Sequence, residues 1–317
     1  MTGRRGLTIV LLTLTFALSA HLAAAARAPQ AFDAPRAYRD LEKQCAFGPR
    51  VPGTAAHRKT ADWLVSQLKP LAATVTRQHF TVTVREKRLA LTNIIATFNP
   101  KGKGHALFCA HWDSRPTADQ DPDPALRFRP IAGANDGASG VAVLLEIARA
   151  LKAHPPAQKV TLVLFDGEDY GPGIDAMFLG SRYFAENYRG APPDWAVLLD
   201  MVGDKDLRIP QEANSRSRAP KVVSAVWHAA AQVGAAAFVP EVGDPIMDDH
   251  LQLLNRGIQC IDVIDFTYPY WHTLADTADK CSPASLGQVG RTLLQALAEG
   301  GPGSPALKPV CCPPGAR

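Results

Sequence analysis

Val160-Thr-Leu-Val-Leu-Phe-Asp-Gly-Glu168-Asp169 joins an uninterrupted apolar run to a pair of adjacent acids. The run is short and rich in leucine and β-branched residues, the pattern of a strand buried on both faces. Similar runs occupy Ala106 to Ala110, ending at His111, and Trp195 to Leu199, ending at Asp200. A fourth, Cys260 to Ile264, lies a little upstream of His272. Between the first two, Gly137 to His154 carries Val141, Leu144, Leu145, Ile147, Ala148 and Leu151 at helical spacing, with Asp136 just before it. Buried strands alternating with helices specify an α/β sheet, and ligands of such sheets bind beyond the carboxyl ends of the strands.

The polar residues there have one chemistry in common. His111, Asp136, Glu168-Asp169, Asp200 and His272 supply imidazole nitrogens and carboxylate oxygens, the donors zinc takes in catalytic sites. One such residue carries little weight. Asp136 alone fits equally well as an N-cap carboxylate favoured by the helix dipole, and an acidic pair alone fits a solvated loop. The ordered set at the ends of different strands points to a zinc enzyme.

Working outward, Ala34 to Gln44 and Thr54 to Leu68 read as helices around a turn-rich Phe47-Gly-Pro-Arg-Val-Pro-Gly53. Thr74 to Arg85 and Asn93 to Phe98 read as strands, and Lys101 to Gly104 as the turn before the strand that ends at His111. Pro116 to Pro130 is an Asp-rich, Pro-interrupted loop whose acids are expected to be solvated. Phe178 to Tyr188, Pro220 to Val233, Asp248 to Asn255 and Ser285 to Glu299 read as helices, and Gly203 to Ala219 as a polar loop. His250 and His228 are expected to be helix or core histidines, and His57 and His154 to be exposed.

The 317 residues, 46% hydrophobic, suit a single catalytic domain over 27–299, because no linker divides the middle of the chain. Residues 1–26 have the organisation of a secretory signal peptide: Arg4 and Arg5, an apolar Leu7 to Leu18, then the small residues Ala23 to Ala26. That apolar stretch is short for a membrane span, so no stable anchor is expected, and the protein is expected in the periplasm or secreted. Residues 300–317 form a Pro-rich tail of disordered composition. A net charge of +4, which includes Arg4 and Arg5, argues against nucleic acid as a partner. Cys109 and Cys260 lie in apolar runs and read as buried hydrophobes. Cys45 and Cys281 read as loop residues that can pair in an oxidising compartment, although sequence does not fix connectivity. No CxxC spacing makes the cysteines zinc ligands.

The order His111-Trp-Asp113, Gly133-Ala-Asn-Asp136-Gly-Ala-Ser-Gly140, Phe165-Asp-Gly-Glu168-Asp169, Leu199-Asp200-Met-Val-Gly203, Asp248-Asp249-His250 and Trp271-His272-Thr273 resembles the co-catalytic zinc aminopeptidase superfamily. Within it the chain resembles the bacterial glutaminyl cyclases, over roughly Tyr38 to Glu299. The resemblance implies a three-layer α/β/α sandwich around a mixed, mostly parallel central sheet. It implies one zinc held by Asp136, Asp169 and His272, with Glu168 as general base and acid. It gives Asp200 and Asp248 to the proton-handling network and Trp271 to the pocket wall. The implied reaction is cyclisation of an N-terminal glutamine of peptides to pyroglutamate, with ammonia released. In the aminopeptidases the positions of His111 and Asp200 hold a second zinc.

Three features favour the cyclase: Asp169 after Glu168 in place of a second glutamate, the acids Asp248-Asp249 before His250, and Trp271 directly before His272. Retention of His111, Asp113 and Asp200 keeps open a second metal or a supporting role for these residues, and with it a di-zinc aminopeptidase that removes N-terminal residues. A catalytically silent zinc-stabilised binding domain is a third reading, disfavoured because a structural site needs no spare base such as Glu168.

Overall fold

The computed structural model describes residues 31–302. The expected signal segment and most of the tail lie outside them. Among the described residues no helix is long and apolar enough to cross a membrane.

The chain runs α1 (Ala34–Ala46), α2 (Ala55–Leu68), β1 (Thr74–Val84), β2 (Lys87–Phe98), β3 (His105–His111), α3 (Ala138–Ala153), β4 (Lys159–Phe165), α4 (Leu179–Asn187) and β5 (Trp195–Asp200). It continues through β6 (Ile209–Gln211), α5 (Ala213–Arg218), α6 (Pro220–Gln232), β7 (Phe238–Val242), α7 (Asp249–Asn255), β8 (Cys260–Ile264) and α8 (Pro283–Ala298).

The central sheet has six strands in the order β1-β2-β4-β3-β5-β8. β4, β3, β5 and β8 are mutually parallel, and the β1–β2 hairpin adds antiparallel to β4. Every residue of β5 and β8, and every residue of β3 and β4 after the first, is buried. Both faces are therefore covered, as the apolar runs require. Helices α1, α3 and α8 pack on one another, with α3 against β3, β4 and β5 and α6 joining through α8. A separate group, α4 and α7, covers β2, β5 and β8. The expected α/β sandwich with a mostly parallel centre is what forms.

α3 sets the geometry of the site. Gly140 sits where an added Cβ would lie 2.4 Å from the Leu199 carbonyl oxygen, so the helix lies almost on the β5 backbone. Its N-cap is Gly137, at φ 89°, with no side-chain cap. Asp136 is thus not the N-cap its sequence position also allowed, and its carboxylate is free for other partners.

Several local expectations are corrected. Gly203 to Ala219 is not all loop: it holds β6 and α5, and β6 pairs with β7 in a small parallel sheet. Cys45 belongs to α1 rather than a loop, and Cys45, Cys109, Cys260 and Cys281 are all free thiols here. His57 is buried, not exposed: its Nε2 lies 2.8 Å from Asp166 Oδ1 and its ring stacks on Trp112. His250 is a buried histidine of α7, in keeping with the core reading.

Candidate metal centre and active site

The parallel strands deliver their last residues to one rim. His111 ends β3, Asp166 to Asp169 follow β4, Asp200 ends β5, and the segment after β8 returns as Trp271-His272. The loop from β3 to α3 brings Asp136 to the same place. Asp136, Asp169 and His272 each present a ligand atom, all within 4.8 Å of one another. His272 Nε2 is 3.3 Å from Asp169 Oδ1 and 3.6 Å from Asp136 Oδ2. His272 has a left-handed backbone at φ 54°, as does Met201, next to Asp200, at φ 47°. Non-glycine residues held there cost free energy and concentrate at functional sites.

His111, Asp136 and Asp200 form a second converging set. His111 Nε2 lies 3.1 Å from Asp136 Oδ1 and 3.3 Å from Asp200 Oδ1. Asp113 does not join it. Its two oxygens accept the backbone N–H groups of Glu168 and Asp169 at 3.1 and 3.2 Å, so it orients that acidic pair from behind.

Glu168, Asp200, Asp248 and Trp271 line a cavity of about 350 Å³ together with Asp136, Asp169 and His272. Burial, reinforced by Asp169, Asp248 and Asp249 against the opposing His111, pushes the Glu168 carboxyl well above its usual range. Burial and the neighbouring Asp200 and Asp249 do the same to Asp248. Burial opposes charge on His111, but Glu168, Asp113, Asp136 and Asp200 outweigh it and raise its pKa. A crowd of buried carboxyls facing two imidazoles is short of positive charge. Asp169 Oδ2 is buried without a hydrogen-bond partner. Buried polar groups are rarely left so, and both facts fit a divalent cation on the donor set zinc prefers.

Supporting residues that sequence reasoning passed over surround this set. Arg115 donates to Asp119 through Nε and Nη2, both at 2.8 Å, and to Asp169 at 2.5 Å, and Asp119 Oδ1 lies 3.4 Å from His272 Nδ1. Asp121 is buried and accepts from the Leu274 N–H. The acids of the 116–130 loop are therefore not all solvated: Asp119 and Asp121 tie that loop to the His272 segment, as partners of metal-binding histidines do. The i,i+4 spacing of Arg115 and Asp119 was the available signal. Asp276 accepts from the N–H groups of Asn135 and Asp136 and from the Tyr268 hydroxyl. Arg50, with no accessible surface, donates to the carbonyls of Trp112 (2.9 Å), Ala132 (2.6 Å) and Gly133 (2.7 Å). His250, buried in α7, lies between Glu212 (3.3 Å) and Asp262 (3.5 Å). Trp271 stacks on the His272 ring at 3.8 Å.

The sequence profile of peptidase family M28 matches residues 93–297. The chain is 26% identical to the glutaminyl-peptide cyclotransferase of Bos taurus over 241 residues, which is 64% of each chain. Among solved structures it resembles Porphyromonas gingivalis glutaminyl cyclase, with a TM-score of 0.82 and 39% identity over 85% of this chain and 99% of that one. It is comparably similar to a leucine aminopeptidase precursor from Bacteroides thetaiotaomicron, with a TM-score of 0.83 and 37% identity over 86% and 99%.

Proposed function

The chain belongs to peptidase family M28, and from that premise we propose that it is a zinc-dependent glutaminyl-peptide cyclotransferase, converting N-terminal glutamine of peptides to pyroglutamate and ammonia. The observation that carries the reading is that Glu168, Asp200 and Asp248 share one cavity with the Asp136, Asp169 and His272 donor set. The named similarity to glutaminyl cyclases supports it.

One zinc per chain would be held by Asp136, Asp169 and His272, and would supply Lewis-acid polarisation of the γ-carbonyl. Glu168 accepts a proton from the substrate α-amine as nitrogen attacks the carbonyl carbon of the side-chain amide. It returns that proton as the bond to the side-chain nitrogen breaks and ammonia leaves. A carboxyl raised by burial is matched to that two-way traffic. Asp200 and Asp248 hold and orient the proton-bearing groups. Trp271 gives the flat amide a wall, and His111 and Asp113 support the set from behind. The reaction is intramolecular, so the site's task is to keep water out and hold amine against carbonyl.

In the same reading residues 1–26 are an export signal, 27–299 are one catalytic domain, and the enzyme acts outside the cytoplasm on peptides, with no stable membrane anchor and no nucleic acid partner. A di-zinc aminopeptidase is favoured by one observation, the convergence of His111, Asp136 and Asp200. Incubation with Gln-Ala-amide and Leu-Ala-amide separates the two. Ammonia from the first without free amino acid from the second is expected. Free leucine, with two tightly held zinc ions required, would reverse the assignment.

A further inference from the structure

Large apolar side chains are exposed at few places among the described residues, and three of them stand at the mouth of the candidate active site. Ile174 is 52% exposed, Met247 59% and Phe266 46%, and all three line the cavity. Apolar groups gathered at the mouth of a polar cavity mark where a bound chain leaves it.

Phe266 has a hollow on each side. Inward lies the cavity with Glu168 and Trp271, and its ring is 5.0 Å from that of Trp271. Outward lies a second hollow of about 180 Å³ that shares Ile246, Ile264 and Phe266 with the first. The two are thus separated by little more than a side chain.

The outer hollow has different chemistry. Arg208, Glu241 and Asp244 stand on its wall. Arg208 and Glu241 are 3.5 Å apart and both largely exposed, an arrangement that fixes little. Asp244 is exposed and forms no ion pair among the described residues. Glu212, on the same wall, is occupied by the N–H groups of Asn214, Ser215 and Ile246. The rim therefore carries surplus negative charge above an apolar floor.

In an extended peptide, side chains two residues apart point the same way and are separated by roughly 6 to 7 Å. With the first side chain directed into the inner cavity, the second points away and the third points down again, one side chain's width further on. We propose that the hollow beyond Phe266 is a subsite for the third residue of the substrate peptide, and that it selects lysine or arginine. The aliphatic stem lies on Phe266 and Ile246 while the cationic head faces Asp244 and Glu241. This rests on the reading that places an N-terminal glutamine in the inner cavity.

The test compares ammonia release from Gln-Ala-Lys-Ala-amide, Gln-Ala-Glu-Ala-amide and Gln-Ala-amide at low and high salt. Wild type is expected to favour the lysine peptide over the glutamate peptide by about three- to tenfold in kcat/KM, mostly through KM, and less at high salt. In the Glu241→Gln/Asp244→Asn variant the ratio is expected to fall to about one. Equal use of the two peptides by wild type, or a preference that survives in the variant, overturns the subsite. Ammonia from none of the three, including the dipeptide that does not reach the outer hollow, overturns the cyclase reading and the subsite with it.

Discussion

Arg50 offers the sharpest check on how the loops that carry the candidate metal ligands are held. Its guanidinium has no accessible surface and bonds to carbonyl oxygens on both sides of the site: Trp112 after β3, and Ala132 and Gly133 before α3. The Asp113 and Asp136 carbonyls lie further off, at 3.4 and 3.5 Å. Arg50→Lys keeps the charge but loses the planar fork, so one or two of the three short bonds are lost. Bonds to a charged group contribute about 1.5–3 kcal/mol each, so the loss is about 2–5 kcal/mol. For a chain of this size that lowers the melting temperature by roughly 3–9 °C. Calorimetry on metal-free protein removes the contribution of metal binding to the transition. Because the same bonds place Asp136, zinc affinity measured by chelator competition should fall about ten- to a hundredfold. An Arg50→Lys protein that melts within about 2 °C of wild type and holds zinc as tightly would refute the argument that Arg50 clamps the loops.

The remaining predictions concern the site and its surroundings. Glu168→Gln keeps the side-chain size and removes the proposed base, so it should retain zinc while turnover drops by about two to four orders of magnitude; normal turnover would show that the proton takes another route. His111→Ala should keep one zinc and a measurable part of glutamine cyclisation, losing about ten- to a hundredfold, whereas His272→Ala should lose both, and equal collapse in the two variants would favour a two-metal hydrolase. His105, at the start of β3, has its pKa lowered to about 4 by burial and Lys159, against the opposing Asp194. The unfolded chain takes up that proton nearer the ordinary imidazole value of 6.5, so the contribution is intact above that pH and is lost as pH falls towards 4. Discounted for partial exposure, the loss is about 1 kcal/mol, and His105→Gln should flatten the stability profile in that window by this amount in urea titrations.

The sequence displayed the parallel strands because each is buried on both faces and its run is almost wholly apolar. It hid the first half of β2, Lys87 to Thr92, where Lys87 and Arg88 face solvent. The β1–β2 hairpin turns through Arg85 and Glu86 at φ 46° and 69°, a geometry normally announced by Asn or Gly. β6 and β7 were hidden for another reason. Both are short, β7 contains Pro240 and is mostly exposed, and their pairing joins segments far apart in the chain. The same distance concealed the partner of His57. Nothing near His57 in sequence indicates Asp166, which follows β4 and lies 109 residues further along the chain.

At the site, residue type identified the members but not their division of labour. His111, Asp113, Asp136 and Asp200 look equivalent as a string of donors, yet backbone N–H groups separate them. Asp113 has both oxygens taken by Glu168 and Asp169. The Asp136 carboxylate is left free because Gly137 takes the cap position at positive φ, while Asp276, remote in sequence, fixes the Asp136 backbone by accepting its N–H. A carboxylate bonded to two amides holds a loop, and one released from its cap can meet a cation. The sequence lists both as aspartates, and only the fold says which amides reach them. The number of metals therefore turns on Asp200, whose Oδ1 is within hydrogen-bond reach of His111 Nε2 while the residue also lines the cavity. If His111 and Asp200 stay paired with each other, the second donor set is spent on that bond and one zinc remains. That is the state in which the His111→Ala variant keeps its metal.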